Sequence, residues 1–391
     1  MQKQLMRNTR NVLPQEIPWM FLFLIVVGNL LSGCGLGMSD MYRNPVEQDE
    51  DVRSLHVLMP TFPGVSDKYW FNTYGDTLNL KEKIVLIDFW DYTCVNCIQT
   101  LPYLKEWYAR YEKLGLVIIG VHSPEFEFAK QKENILNAIC QFGIRYPVVM
   151  DNDFQIWNEF GNRYWPAEYI FDSEGVLRSV HFGEGNYGAT EETIQRLLRD
   201  INPKVVLPPV MGPVRPTDTP GACCYRTTAE TYLGYERGTI ANTSSSEREH
   251  DYEYSAPASI AEDKCYLTGK WDVENQYVRY AGKPGEGSLT INYIAKGAEL
   301  VIRTDASFLK SADPLTVYIL QDGKPLLPDA RGDDVQVDSS GRTFIVVESA
   351  RMYSLTMNAA YGRHVLTLLP TSDAFSAYAF TFITACQADS D

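Results

Sequence analysis

Cys94 and Cys97 close the stretch DFWDYTCVNC, residues 88–97, with two residues between the sulfurs. A Cys-x-x-Cys pair serves three chemistries: half of a zinc site, a structural staple, or a dithiol that exchanges with other disulfides. A structural zinc site asks for a second Cys or His pair. The nearest candidates, Cys140 and His122, are single and widely spaced, so neither a metal nor a cofactor is expected. A redox dithiol has a definite setting: a strand ends, the chain turns, and a helix begins at the pair. The first sulfur then meets the free N–H groups and dipole of the helix N-terminus, which favour a thiolate. Here KIVLIDFW (83–90) reads as a buried strand, and CIQTLPYLKEWYARYEK (97–113) has helical spacing.

The elements that would position this pair alternate. LVIIGVH (116–122), YPVVMD (146–151), AEYIFD (167–172) and VLRSVHFG (176–183) read as strands. FEFAKQKENILNAICQFG (126–143), NDFQIWNEFG (152–161) and TEETIQRLLRDI (190–201) read as helices, the first closed by Gly143. Such alternation predicts an α/β domain with helices on both faces of one sheet. Cys140, within an apolar helix, is expected to be an inert core thiol. Residues 203–220, PKVVLPPVMGPVRPTDTP, are too rich in proline for a helix or a central strand and read as a semi-rigid linker. Beyond them SLTINYIA, AELVIRTD, LTVYIL, TFIVVES, MYSLTMN, HVLTLLP and YAFTFITA alternate apolar and polar residues, which predicts an antiparallel β-sandwich.

At 391 residues the chain is long for one core, so two domains are expected. A net charge of -15 argues against a nucleic-acid partner. Eight cysteines are too few for a disulfide-built scaffold of this size. Lys3, Arg7 and Arg10 precede the apolar run WMFLFLIVVGNLLSGC. At about 15 residues the run is shorter than the roughly 20 of a membrane-spanning helix and has the charge order of an export signal. Its end, Leu31-Ser32-Gly33-Cys34, resembles the lipobox of bacterial lipoproteins, which implies lipidation of Cys34. The organisation expected is a signal peptide over 1–34, a polar tether over 35–56, an α/β domain over 57–201, the linker over 202–221 and a β domain over 222–391. The remainder of the chain would then lie outside the cytoplasm, facing the periplasm or cell exterior. There Cys223, Cys224, Cys265 and Cys386 tend to oxidise. Because the first and last strands of a sandwich often lie close, Cys223 or Cys224 is expected to pair with Cys386, and the other with Cys265.

Residues 57–200 resemble extracytoplasmic thioredoxin-fold proteins of the TlpA/ResA type, and more closely the thioredoxin-like part of DipZ proteins. Asp88, six residues before the first cysteine, stands where thioredoxins carry a buried acid, and Pro102, five after the second, where they kink the helix. NRYWPAEYIFD resembles the segment holding the family's cis-proline, which would be Pro166. GVHSPEFEFAK, FGEGNY, AETYLGYERG and AYAFTF also resemble DipZ, the last two its C-terminal domain. The resemblance implies a thioredoxin-like domain followed by a jelly-roll-like sandwich similar to carbohydrate-binding modules. It further implies thiol–disulfide exchange: Cys94 attacks a partner disulfide, Cys97 resolves it, Asp88 accepts the proton of Cys97, and Pro166 faces the sulfurs. DipZ proteins carry a multi-span membrane domain that feeds electrons to this part. A membrane thiol carrier of the DipZ/CcdA type is therefore the implied donor, with disulfide-bearing proteins as substrates.

There are departures from the pattern. Val95-Asn96 replaces the Gly-Pro of thioredoxin, Thr100 stands where TlpA/ResA proteins place an acid, and Glu168 replaces an apolar residue two after the proline. A peroxiredoxin pattern fails, since Asp91 stands where its Thr belongs. Glu168 shares a strand face with Pro166 and is expected to approach Asp88 beneath the sulfurs, or else to turn toward solvent or Arg163. His122 would end a central strand, either lining the site or as a plain strand-end residue. Two rival functions remain: a disulfide oxidase or isomerase on the same fold, and an envelope protein whose β domain holds glycan on Trp271, Tyr277 and Tyr280, although core roles suit these aromatics better.

Overall fold

A computed structural model describes residues 56–60, 69–73, 78–243, 248–304 and 315–387. Cys34, the apolar run and the tether as far as residue 55 lie outside the described residues.

The first half is built on a six-stranded sheet of β1 (Trp70–Phe71), β2 (Ile84–Trp90), β3 (Leu116–His122), β4 (Val148–Met150), β5 (Ala167–Phe171) and β6 (Leu177–Phe182), in the order β1-β4-β3-β2-β5-β6. β2, β3 and β4 run parallel, while β1, β5 and β6 are antiparallel to their neighbours. Helices α1 (Val95–Tyr111), α2 (Lys132–Phe142) and α3 (Gln155–Glu159) lie between successive strands from β2 to β5, and α4 (Tyr187–Ile201) follows β6. β2 is buried along its whole length, as a central strand covered on both faces must be. Ile84, Leu86 and Trp90 pack with Leu101 and Leu104 of α1, Ile135 and Ile139 of α2, and Ile194 and Leu197 of α4. Val85, Ile87 and Phe89 pack on the other side with Ile156 and Trp157 of α3. This is the thioredoxin-like arrangement that the sequence implied. Gly143 ends α2 in the left-handed conformation at φ 65°, which glycine adopts without cost.

The second half is mostly strand. β7 (Cys223–Cys224) and β18 (Cys386–Gln387) form a two-stranded ladder of their own. The others are β8 (Thr231–Tyr232), β9 (Glu249–Tyr254), β10 (Lys264–Val273), β11 (Val278–Tyr280), β12 (Ser288–Thr304), β13 (Leu315–Gln321), β14 (Gln336–Val337), β15 (Thr343–Val347), β16 (Arg351–Pro370) and β17 (Phe375–Ile383). All their pairings are antiparallel. β12 pairs with β10 through its first residues and with β17 through its last, so the path β12-β10-β11-β17 returns to β12. Four segments read as separate strands merge into two, SLTINYIA with AELVIRTD and MYSLTMN with HVLTLLP. Between the first two, Gly297 sits at a bulge in the ladder. A side chain there would collide with Thr356 O at 2.7 Å, so glycine lets β12 continue.

The two halves share a core. Phe126 and Phe128 pack edge-on against Tyr378 of β17, with ring centroids 5.1 and 4.8 Å apart. The proline-rich segment has no strand and only a short 3-10 turn, Pro216–Asp218. It is nonetheless bound along its length. Gln195 of α4 donates to Pro208 O, Met211 N–H donates to Glu191, and Tyr103 of α1 donates to Asp218 while accepting from Val214 N–H.

Two thiol expectations need correction. Cys224 and Cys386 form a disulfide, but Cys223 is exposed and free while Cys265 is buried and free, so the second pair does not form. The β7–β18 register sets Cys386 opposite Cys224 and leaves Cys223 opposite Gln387. Cys140 is exposed. The buried residues of α2 are Ile135, Ala138 and Ile139, and one step on from Ile139 the helix has turned about 100° from that face.

Candidate active site

β2 ends at Trp90 and α1 starts at Val95, so four residues make the turn that presents Cys94. Asp91 shapes it. Its carboxylate accepts from Thr93 N–H at 2.6 Å, from the Thr93 hydroxyl at 2.7 Å and from Glu125 N–H at 2.7 Å. Such an Asp-x-Thr turn is a local signal that sequence reading can find but that the search for thiol chemistry passed over.

Cys94 is the N-cap residue of α1, and its sulfur accepts from Cys97 N–H at 3.3 Å. Burial nevertheless pushes the Cys94 thiol up; hydrogen bonds from Cys97 pull it down, and the Glu125 and Asp91 charges add to the rise. The helix terminus therefore works against desolvation and two carboxylates. Cys97 is 1% exposed, and its thiol is pushed well up, first by burial.

Beneath Cys97 lies a row of titratable groups fixed by strand register. Asp88 on β2 stands opposite Glu168 on β5, and Glu168 opposite His181 on β6. Directly paired residues share a sheet face. Asp88 is 1% exposed and Glu168 2%, so Glu168 turns neither to solvent nor to Arg163; it accepts from Thr190 of α4 at 3.5 Å. Neither oxygen of Asp88 has a hydrogen-bond partner among the described residues. Burial, then the Glu168 charge, holds Asp88 well above the carboxylate range, and burial pushes Glu168 up to about 7. Tyr146 joins them: its phenol is buried and raised by burial and by the charges of Asp88, Glu168 and Cys97. Gly120, opposite Asp88 on the other side, makes room, since a Cβ there would lie 3.2 Å from the Tyr146 ring and 3.0 Å from Trp90 Nε1.

Trp165–Pro166 is a cis peptide bond. The Trp165 indole donates to Ser123 O at 3.0 Å, which holds this loop against the end of β3. Trp165 and Cys94 line one cleft of about 750 Å³, whose far wall belongs to the β-rich half: Glu230, Tyr232, Arg237, Lys296 and Cys386. His122 does not line it; the ring is fully buried, stacked 5.5 Å from Tyr92, and held neutral by burial, down to about 3. Trp271 and Tyr280 are fully buried core residues, and Tyr277 packs on Tyr378. The structure sets Asp88 opposite Glu168 and Cys94 at the head of the helix that carries Cys97, while Pro166 follows Trp165 of the cleft wall; Asp91, Tyr146 and the far wall were not among the residues singled out from sequence.

Residues 68–180 match the AhpC/TSA family and residues 228–382 the thioredoxin-like C-terminal domain family. The DipZ proteins of Mycobacterium bovis and Mycobacterium tuberculosis are 35% identical over 270 residues, 68% of this chain, which spans only 36% of their length. The thiol-disulfide oxidoreductase YkuV of Bacillus subtilis is 30% identical over 145 residues, covering 36% of this chain and 95% of YkuV. A solved thioredoxin-like protein in its oxidised form aligns over 37% of this chain and 97% of its own at 27% identity, with a TM-score of 0.33. The chain belongs to the thioredoxin-like thiol-disulfide oxidoreductases.

Proposed function

We propose that Cys94 and Cys97 are the redox pair, and that the protein reduces disulfides in exported proteins. The observation that carries this reading is the Cys94 sulfur, capped by the Cys97 N–H at the start of α1, with Asp88 and Glu168 buried side by side on the strands beneath. Cys94 attacks the substrate disulfide and forms a mixed disulfide. Cys97 then attacks the Cys94 sulfur, its proton passing to the Asp88–Glu168 pair, and the substrate leaves reduced. A carboxyl pair whose burial keeps one proton near neutrality can accept the second. Pro166 borders the sulfurs and shapes the approach of the substrate chain.

In this reading the chain is organised as a signal peptide (1–34), a tether (35–56), the thioredoxin-like domain (57–201), the strap (202–221) and a β domain (222–391) of jelly-roll-like, carbohydrate-binding-module-like form. Cys34 carries a lipid that holds the protein at the membrane, facing the periplasm or cell exterior. A membrane thiol carrier of the DipZ/CcdA type supplies electrons. Burial of Trp271 and Tyr280 removes two of the three aromatics on which a glycan-binding reading relied. Trapping on Cys97→Ser tests the function: the mixed disulfide persists, and mass spectrometry identifies the partner on Cys94. The potential of the pair sets the direction. About -270 mV fits a reductase, whereas about -120 mV would make the protein an oxidase and overturn this reading.

A further inference from the structure

Two stretches with a DipZ likeness, GVHSPEFEFAK and AETYLGYERG, meet beside Cys94. The Tyr232 hydroxyl lies 2.7 Å from Glu125 Oε1 and 2.7 Å from Glu230 Oε2. A phenol has one proton and can donate to one carboxylate only. The second contact forms a hydrogen bond when the other carboxyl is itself protonated and donates to the phenol oxygen. The cluster thus has a place for one proton beyond that of the phenol. Arg237 selects the ionised member: its Nη2 lies 2.9 Å from Glu125 Oε1, and its guanidinium sits 3.7 Å over the Tyr232 ring. Glu125 is therefore the carboxylate and Glu230 the acid. Glu125 is also tied to the Cys94 turn, since its N–H donates to Asp91. Glu230 keeps exposed surface in the cleft that Cys94 opens into. Desolvation of its carboxyl by the surrounding cleft walls, then the Glu125 charge, pushes Glu230 up to about 7, while Tyr232 and Arg237 pull it down. The other charged groups on the cleft walls are Arg163, Glu184, Arg215 and Lys296, of which Glu184 and Arg215 pair with each other.

We propose that Glu230, set by Tyr232, Glu125 and Arg237, is a catalytic acid for exchange at Cys94, so that the β-rich half takes part in the chemistry. The proposal rests on the reading of Cys94 as the attacking thiol. The Cys94 thiolate attacks one sulfur of the substrate disulfide; the new S–S bond forms and the substrate S–S bond breaks. The electron pair goes to the departing sulfur, and Glu230 passes its proton to it, leaving a free thiol and a Glu230 carboxylate. The next Cys94 thiol to ionise returns a proton to Glu230. The substrate class is a disulfide whose leaving sulfur is an alkyl thiolate, as in a protein cystine, which gains most from protonation.

Single-turnover reduction by the full-length protein tests this with two probes. Hydroxyethyl disulfide releases an alkyl thiol. Dithiobis-nitrobenzoate releases an aryl thiolate of low pKa, which departs unprotonated. Loss of a general acid lowers the alkyl-to-aryl rate ratio of Glu230→Gln by about tenfold or more. Glu230→Asp recovers part of the ratio, and Tyr232→Phe, which keeps the ring, moves it in the same direction as Glu230→Gln. A ratio unchanged in Glu230→Gln or, should that variant not fold, in Tyr232→Phe overturns the proposal. Turnover that survives in Cys94→Ser instead overturns the underlying reading of the thiol pair.

Discussion

Asp88 and Glu168 stand directly opposite each other on adjacent antiparallel strands, each nearly excluded from solvent. Two carboxylates on one face of a sheet repel when both are charged, and neither has water to share the cost. The register makes the proximity unavoidable, because shifting either residue would need a slip of β5 against β2 that turned all of β5 over. In the proposed function the pair acts as one proton-holding unit beneath Cys97.

Insulin-disulfide reduction should expose this unit in its pH profile. Glu168 raises Asp88, so Glu168→Gln lowers the pH at which Asp88 ionises and moves the rising limb of the profile to lower pH. Asp88→Asn removes the acceptor and slows turnover about tenfold or more. The double variant falls short of additivity, because the residues act together. A Glu168→Gln profile that overlays the wild type leaves Asp88 acting alone.

The same burial sets a stability cost with a definite sign. The Glu168 carboxyl rises from 4.5 to about 7 on folding, so between those values the folded state keeps a proton that the unfolded chain has lost. Stability due to this group is unaffected below about pH 4.5 and falls as pH rises to about 7, by on the order of 3 kcal/mol. Urea midpoints at pH 5 and 7.5 should separate less for Glu168→Gln than for the wild type. An equal separation would mean that Glu168 ionises at its ordinary pH.

Local pattern made part of this legible. The buried run of β2, the helical spacing of α1 and the position of Glu168 two residues after Pro166 follow from periodicity and from the resemblance. The contact of Glu125 with Tyr232 and Arg237 does not, since it joins residues more than 100 apart through the docking of two halves. Cys140 was misread because apolar content, rather than phase, guided the reading. SLTINYIA and AELVIRTD were read as separate strands because a glycine between two apolar runs marks a bulge as readily as a break.

Mass mapping under native conditions should find Cys224 joined to Cys386, Cys223 alkylated at once, and Cys265 alkylated only after unfolding. Cys386→Ser releases a closure spanning 162 residues of chain and costs about 2–4 kcal/mol. A Cys223–Cys386 pair in the map would contradict the register of β7 with β18.

If Cys34 carries the proposed lipid, Cys34→Ser should leave the precursor uncleaved by the lipoprotein peptidase and without a fatty acid. Metabolic labelling with a fatty acid, followed by membrane fractionation, measures both effects. Membrane retention unchanged in the variant would point to a plain apolar anchor.

Tyr378 ties the halves together. It is 2% exposed and meets Phe126 and Phe128 from the thioredoxin-like half as well as Tyr277 from its own. Removing a buried aromatic ring of this kind costs about 3–5 kcal/mol. Most of that loss falls on the contact between halves, because three aromatic partners lose their common neighbour. Hydrogen exchange then reads the coupling. In the wild type, amides of Leu86–Phe89 on β2 and of Leu300–Ile302 on β12 should open with the same free energy. In Tyr378→Ala they separate, while Tyr378→Phe, which keeps the ring, resembles the wild type. The same loosening moves Glu230 and Tyr232 away from Cys94, so the alkyl-to-aryl rate ratio of Tyr378→Ala should fall in the direction of Glu230→Gln. If the two sets of amides still open together in Tyr378→Ala, the coupling lies in the proline-rich strap and its bonds to α1 and α4.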